Sequence, residues 1–384
     1  MAHIGIDIEQ FVSDPMGSGI QRVLLELARQ WPQEEVPALF VVPYRDGFLT
    51  LDPSQTSELI GLAFQPDPEL PLADRISRTI EAFAKSRNTA STGELISMFS
   101  SWLLPEVSYL PSVLERAQLM TSVMPTTMIG YDVLPMSHPE NYRHKPGNLA
   151  HVSRYFQLLC DVDSVVCISD YAKSGIIERL RRSRLRTTIV ASPGGDHVPL
   201  TANIGGSIDS RQRPIRLLRL GTLEARKKPV EILNTFEILR TLDVDVELTF
   251  VGAPSSSDSS INAAISDACS RSIGITWIQR ASDTEVVELM RDSDLFLSMG
   301  TEGFGIPVLE ALRSGTPVAY HGIQPAADIM QGKGARLLEN GNPVELAREI
   351  RSLLDELPRI REEIDSSAIP RWRDFVGSVA RAAQ

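Results

Sequence analysis

From Ile215 to Tyr320 the chain repeats one pattern: a short apolar run, a loop of small or charged residues, then an amphipathic stretch. The apolar runs at 215–220, 246–251, 275–278, 294–299 and 316–320 read as strands. The stretches at 229–242, 258–271, 284–291 and 307–314 read as helices. Strands separated by helices cannot pair as hairpins. They must pair in parallel, and a parallel sheet needs helices on both faces. This alternation restricts the second half to a doubly wound α/β domain.

The first half opens in the same way. Ile4–Ile8 reads as a buried strand, 13–19 as a loop of small residues, and the segment from Ile20 as a helix with Ile20, Val23, Leu24, Leu27 and Ala28 on one face. Further strands are expected at 38–42, 128–134 and 164–169, and helices at 151–159 and through Ile176, Ile177 and Leu180. Between 50 and 125 only broken helical patterns stand out, near 74–85 and 93–104. Around 191–213 the composition shifts to glycine, serine, proline and asparagine, which marks a linker. The expected domains are 1–200 and 201–370, both Rossmann-like, followed by a last amphipathic stretch within 371–384 that begins at Trp372.

Composition narrows the function classes. A net charge of −11 disfavours a protein that coats nucleic acid. Three cysteines without a CxxC pair indicate neither a zinc site nor a disulfide framework. The opening MAHIGIDIEQF has Asp7 and Glu9 inside its apolar run and no basic leader, so it is not expected to be a signal peptide. No apolar run has the length of a spanning helix. The expectation is a reduced, cytoplasmic, soluble chain.

Three loops hold the candidate chemistry. In Gly300-Thr-Glu-Gly-Phe-Gly-Ile-Pro-Val-Leu-Glu-Ala311 a strand ends, glycines allow a tight turn, and Pro307 suits the first turn of a helix. The N–H groups of Phe304 to Ile306, with Gly303 and Gly305 beside them, would face an anion at the positive end of that helix. Glu302 and Glu310 flank the same place. Carboxylates beside a phosphate are best used on hydroxyls, such as those of a sugar or ribose. The plainer alternative is an ordinary turn with solvated glutamates. In the second loop, Gly221-Thr-Leu-Glu-Ala-Arg-Lys-Lys-Pro229, Arg226 offers a fork and Lys227 a point charge for a diphosphate. Strand ends of an open parallel sheet share one edge, so these two loops should meet. The third loop, Gly17-x-Gly19, is a weak signal on its own.

Other motifs offer less. The DxD pairs at 161/163, 243/245 and 292/294 fit turns or caps, and the six histidines show no metal-ligand spacing. The run Arg179, Arg181, Arg182, Arg184, Arg186 reads as the continuation of a helix with a solvated face, and contact with anionic lipid is an alternative.

Taken together, TEGFGIPVLEA, the upstream GTLEARKKP, MGSGIQRV, YDVLPMSHPE, DSVVCISDYAKSGI, PGGDH and the late PRWRDF resemble the retaining glycosyltransferase family 4 of the GT-B fold. The likeness is good over 1–30, 128–200 and 215–384, poor over 45–125, and strongest to bacterial mannosyltransferases of polysaccharide assembly. It implies two Rossmann-like domains facing across a cleft, the first for the acceptor and the second for the nucleotide sugar, with the C-terminal helix returning to the first. Glu302 would contact the donor sugar, Glu310 the ribose, and Arg226 and Lys227 the leaving diphosphate, with Gly221 and Thr222 in the same loop. Gly17 and Gly19 would close over donor and acceptor. Many family members have His where this chain has Tyr131, so Asp132 is carried over only as a positioning group.

The resemblance implies transfer of a hexose, preferably mannose from GDP-mannose, to a lipid-linked or oligosaccharide acceptor, without metal or other cofactor. Peripheral contact with the inner membrane and no nucleic-acid partner go with that reading. The alternatives are a UDP-sugar donor, a nucleotide-sugar epimerase, and a non-catalytic sugar-nucleotide-binding subunit. A nicotinamide dehydrogenase is disfavoured, because no GxGxxG follows the first strand.

Overall fold

The structure, a computed structural model, describes residues 3–65, 67, 69–85, 89–142, 149–183, 186–200 and 213–384. The chain forms two compact units. One comprises Met1–Val133, His144–Pro193 and Arg371–Gln384, and the other Leu134–Arg143 and Gly194–Pro370. Residues 134–143 and 194–200, placed by the sequence with the first half, therefore belong to the second unit. The change falls at Pro193/Gly194, in the PGGDH segment, a few residues before the expected boundary.

The first unit is built on a seven-stranded sheet. In chain order its strands are β1 (His3–Asp7), β2 (Ala38–Tyr44), β3 (Gly47–Leu51), β4 (Phe99–Leu104), β5 (Thr126–Gly130), β6 (Ser164–Cys167) and β7 (Thr187–Val190). Their spatial order is β3-β2-β1-β4-β5-β6-β7. All pairings are parallel except β2 with β3, which are joined at Arg45-Asp46, where Arg45 takes a left-handed backbone (φ 52°). The chain order reverses between β1 and β4, where Gly5 makes room for the Trp102 ring: a Cβ there would lie 2.6 Å from it.

The pattern at 93–104 is not one helix. Ser91 caps a short helix, Thr92–Met98, by a reciprocal bond with Glu94, and the chain then enters β4, next to β1. A strand buried on both faces has no alternation to distinguish it from helix, which is why the sequence misleads here. Helices Pro53–Gly61 and Pro111–Val123 also lie in this poorly patterned region.

The last helix, Trp372–Ala382, packs on helix Gly19–Gln30 and on β6. Its carbonyl end accepts Ser101 Oγ (2.5 Å to Ala383 O) and Thr127 Oγ1 (2.9 Å to Ala382 O).

The arginine run is corrected as well. Arg181 has a left-handed backbone, and Arg182 is buried and donates to the carbonyls of Leu159, Cys160, Val162, Asp163 and Thr187. A cation on the last carbonyls of helix Leu149–Asp161 satisfies acceptors the helix cannot. Arg184 lies outside the described residues.

The second unit has six parallel strands: β8 (Ile215–Leu220), β9 (Val246–Val251), β10 (Ile275–Ile278), β11 (Leu295–Thr301), β12 (Val318–Ile323) and β13 (Ala335–Leu337). Their order is β10-β9-β8-β11-β12-β13, so the reversal lies between β8 and β11. Helices Pro229–Thr241 and Pro343–Leu354 cover one face, burying Leu217, Phe236, Leu248, Phe250, Leu297 and Ile350 in a common core. The DxD segments serve as turns and anchors. Asp243 is left-handed, buried Asp294 accepts from Arg213 and from the Arg216 N–H, and Asp163 accepts from the Thr126 N–H. No helix among the described residues is long and apolar enough to cross a membrane.

Candidate functional site

In an open α/β sheet the loops leaving the two strands at the reversal diverge and leave a crevice at the carboxyl ends. In the second unit these are the loops after β8 and β11, and their side chains meet. Arg226 Nη1 donates to Thr301 O (2.7 Å) and to Glu302 Oε2 (2.8 Å), and Lys227 Nζ lies 2.9 Å from Glu302 Oε1. The other end of the Arg226 fork, Nη2, is 2.6 Å from Glu224 Oε2. One carboxylate thus engages two cations, and the 221–229 and 300–307 loops are joined through it.

Burial alone would push the Glu302 carboxyl up, but Lys227 and Arg226 outweigh it and hold the group down at about 2. Burial likewise pushes the Lys227 ammonium below its ordinary range, and Glu302 restores part of the loss. For Arg226 burial is outweighed by Glu302 and Glu224, which raise it. Glu302 and Arg226 are therefore charged at neutral pH, and the Glu302 carboxylate favours the charged form of Lys227 against its burial. Arg226 Nε is buried with no hydrogen-bond partner among the described residues.

Gly305, left-handed at φ 101°, caps helix Ile306–Arg313, with Pro307 in its first turn. Buried Gln324 braces this loop: it accepts from Ser298 Oγ (2.8 Å) and donates to Gly300 O (3.2 Å). The Glu302 N–H donates to Ile323 O and the Ala326 N–H to Phe304 O. Glu310, one turn into the helix, has Oε1 2.8 Å from His197 Nε2, and both side chains are largely buried. The His197 segment is seated by Gly195, whose added Cβ would lie 2.6 Å from Leu309, and by Arg313 Nε, which donates to Val198 O. The sequence places PGGDH at the linker and gives its histidine only the absence of metal-ligand spacing; the structure pairs that histidine with Glu310.

The strand ends form a row of left-handed glycines. A Cβ on Gly252 would lie 2.4 Å from Gly221 O, on Gly322 2.3 Å from Gly300 O, and on Gly300 only 1.8 Å from Arg226 O. Backbone therefore touches backbone across β9, β8, β11 and β12, and side chains are excluded from the rim. Sequence reading noted Gly221 and Gly300 but missed Gly252 and Gly322, each a lone glycine after an apolar run.

The structure thus brings together Glu302, Arg226, Lys227, Gly221 and Thr222, with Gly303, Phe304, Gly305, Ile306 and Glu310 on the adjoining loop and helix. Gly17, Gly19 and Asp132 belong to the first unit. There Gln21 Oε1 accepts both the Met16 and Gly17 N–H groups (2.8 Å each), so the Gly17 amide is used inside its own loop rather than offered to a ligand. Tyr131 is buried and donates to Pro105 O (2.7 Å). Asp132 raises the phenols of Tyr109, Tyr155 and Tyr171, in each case after burial.

A different buried cluster sits at the reversal of the first sheet. Arg116 donates to Asp7 and Glu9, Ser112 Oγ donates to Glu9, and Glu106 accepts the Phe11 N–H (3.0 Å). Burial, with Asp7 and Asp14 nearby, pushes Glu106 up to about 8. Nothing in the sequence brought these residues together.

Comparison with known proteins agrees with the second unit's geometry. The family model for glycosyl transferases, group 1, matches residues 204–369. The serotype-specific mannosyltransferase WbdA of Escherichia coli is 26% identical over 221 residues, which are 52% of this chain and 26% of WbdA. The chain thus spans about a quarter of the length of that relative. Among solved structures, Anabaena HepE in complex with UDP and glucose aligns over 99% of both chains at 12% identity, with a TM-score of 0.68. Sucrose-phosphate synthase of Thermosynechococcus elongatus aligns over 99% of this chain and 98% of its own at 13% identity and 0.67. Residues 204–369 are thus a glycosyl transferases group 1 domain, and the chain has the GT-B fold, with similarity to a bacterial mannosyltransferase.

Proposed function

We propose that the chain is a retaining glycosyltransferase that moves a hexose from a nucleotide sugar to an acceptor hydroxyl. The preferred donor is GDP-mannose, and the acceptor is an oligosaccharide or a lipid-linked one. The observation that carries this reading is the buried Arg226–Glu302–Lys227 arrangement at the sheet reversal, beside a glycine-capped helix N-terminus. Buried cations next to a helix start suit a diphosphate, and the unpartnered Arg226 Nε leaves a donor there for an anion.

In the reaction the bond from the sugar's anomeric carbon to the diphosphate oxygen breaks, and the acceptor oxygen bonds to that carbon on the same face. The acceptor proton passes to the departing phosphate oxygen, so no side-chain base is needed. Arg226 and Lys227 stabilise the charge that develops on the leaving group, the largest electrostatic task of the step. Glu302, held ionised, accepts hydrogen bonds from donor-sugar hydroxyls, and Glu310 accepts from the ribose. Gly221, Thr222 and the Phe304–Ile306 backbone line the phosphates. The reading assigns no metal, so turnover is expected to survive chelation by EDTA. With a lipid-linked acceptor the enzyme works at the cytoplasmic face of the membrane.

A UDP-sugar donor is the second reading, favoured by the HepE complexes with UDP and with UDP-glucose. Calorimetric titration with GDP, UDP, ADP and their sugar conjugates tests the donor. Preference for GDP-mannose supports the first reading, and preference for UDP-sugars the second. Product analysis with acceptor tests the reaction: conversion of the nucleotide sugar without acceptor would indicate an epimerase, and binding without turnover a silent subunit. No binding to any nucleotide would sink the proposal.

A further inference from the structure

Arg219 has no place in the reading above. It sits near the end of β8 on the same face as Leu217, which belongs to the apolar core, yet it is a fully buried cation. Burial drives its guanidinium down to about 10, with Glu302 and Glu224 pulling the other way. No carboxylate among the described residues lies within ion-pair distance of it. Glu302 is engaged by Arg226 and Lys227, and Glu224 by Arg226. Three cations, Arg219, Arg226 and Lys227, thus face two carboxylates, Glu224 and Glu302.

The guanidinium is spent on backbone. Nη1 donates to Gly221 O, and Nη2 to Thr222 O (3.0 Å). In a trans peptide the C=O and the following N–H point opposite ways. Holding Gly221 O inward therefore turns the Thr222 N–H to the other side, where no described residue accepts it. Gly252, at φ 140°, lets its backbone pack on the carbonyl side of this peptide: a Cβ there would stand 2.4 Å from Gly221 O and 2.5 Å from Gly221 C.

We propose that Arg219 is a positioning residue of the nucleotide-sugar site, which locks the Gly221–Thr222 peptide so that its amide faces the diphosphate and gives the cluster of Arg226, Lys227, Glu224 and Glu302 its one excess positive charge. This rests on the glycosyltransferase reading. A leucine or valine at the same place would close the strand end without burying a charge, but it would leave the peptide free to turn and the cluster of Arg226, Lys227, Glu224 and Glu302 electrically neutral.

The test is calorimetric binding of UDP, GDP and ADP to the full chain as wild type, Arg219→Met, Arg219→Gln and Arg219→Lys, from pH 7 to pH 10, with thermal melting alongside. Arg219→Met is expected to weaken the preferred nucleoside diphosphate at least tenfold, and Arg219→Lys to recover part of that. The pH profile separates positioning from mere folding. Lys227 is faced by Glu302, Glu224, Arg226 and Arg219. Removing Arg219 removes one repulsion, so the alkaline loss of affinity should move to higher pH.

If Arg219→Met fails to fold, Arg219→Gln keeps a hydrogen bond without the charge and must still bind more weakly than Arg219→Lys. A folded neutral variant with wild-type affinity and an unmoved alkaline limb overturns the proposal alone. A wild type that binds no nucleotide overturns the glycosyltransferase reading, and this proposal with it.

Discussion

Replacing Glu302 by Gln keeps the size of the side chain and removes its charge, leaving Arg226 and Lys227 without a shared carboxylate. Two routes give the cost. A carboxyl brought from 4.5 to about 2 is favoured in its ionised form by about 3 kcal/mol. Removing one partner of a buried ion pair costs about 3–5 kcal/mol. The sign of the pH dependence follows from the direction of the shift. The folded value lies below the unfolded one, so the stabilisation is fully present above about pH 4.5 and is lost as pH falls toward 2. The gap between wild type and Glu302→Gln should be about 3 kcal/mol at pH 7 and shrink to about 2 kcal/mol at pH 3.5. On the alkaline side the variant can shed the Lys227 proton, so the gap should shrink there also. Urea unfolding of the full chain from pH 3.5 to pH 9.5, followed in the transition of the second unit, measures it. A variant as stable as wild type, or a gap that does not change with pH, would refute the electrostatic account of the site.

Gly300→Ala forces a Cβ to within 1.8 Å of Arg226 O at a left-handed position, so calorimetry should show the second unit's melting transition lowered or lost; Gly19→Ala, with open space around its added Cβ, should leave the melting profile unchanged. His197→Ala leaves Glu310 Oε1 without its histidine, a loss of about 1.5–3 kcal/mol for a bond to a charged group, and nucleotide titration should show binding weakened about tenfold or more. Glu106 holds a proton in the folded state up to about pH 8, which the unfolded chain releases near 4.5. Its contribution therefore falls as pH rises through that window, and Glu106→Gln should gain stability on wild type between pH 6 and pH 9 in denaturant titrations. A difference that stays flat across those pH values would remove the buried carboxyl from the account.

The second unit was legible because its signals are local. Each strand from β8 to β12 lies within two or three residues of its expected place, and the loops holding Arg226, Lys227 and Glu302 were found from proline and glycine punctuation alone. Their meeting followed from a rule about parallel sheets rather than from any residue pair. The first unit was less legible where burial is two-sided. Phe99–Leu104, in mid-sheet, looks like the end of a helix, and in the second unit the three-residue β13 is too short to carry a period. Two side-chain pairings that the sequence hid are long-range. His197 meets Glu310 across 113 positions, and Arg116 meets Asp7 across 109. Arg182 was misplaced because a charged run usually faces water, and only the fold shows that five carbonyls surround it.

The composition of the first unit has a consequence for the order in which the molecule can be made. Its last helix supplies Trp372, Phe375, Val376 and Val379, all buried, yet these residues leave the ribosome only after the whole of Gly194–Pro370 has been synthesised. Until then helix Gly19–Gln30 and β6 wait with an uncovered apolar face, and the Ser101 and Thr127 hydroxyls lack their final acceptors. The second unit has nearly all of its chain in one continuous stretch and can condense as it emerges. The unit begun first is thus finished last: all seven of its strands are made by Val190, but the helix that covers them follows only after the second unit.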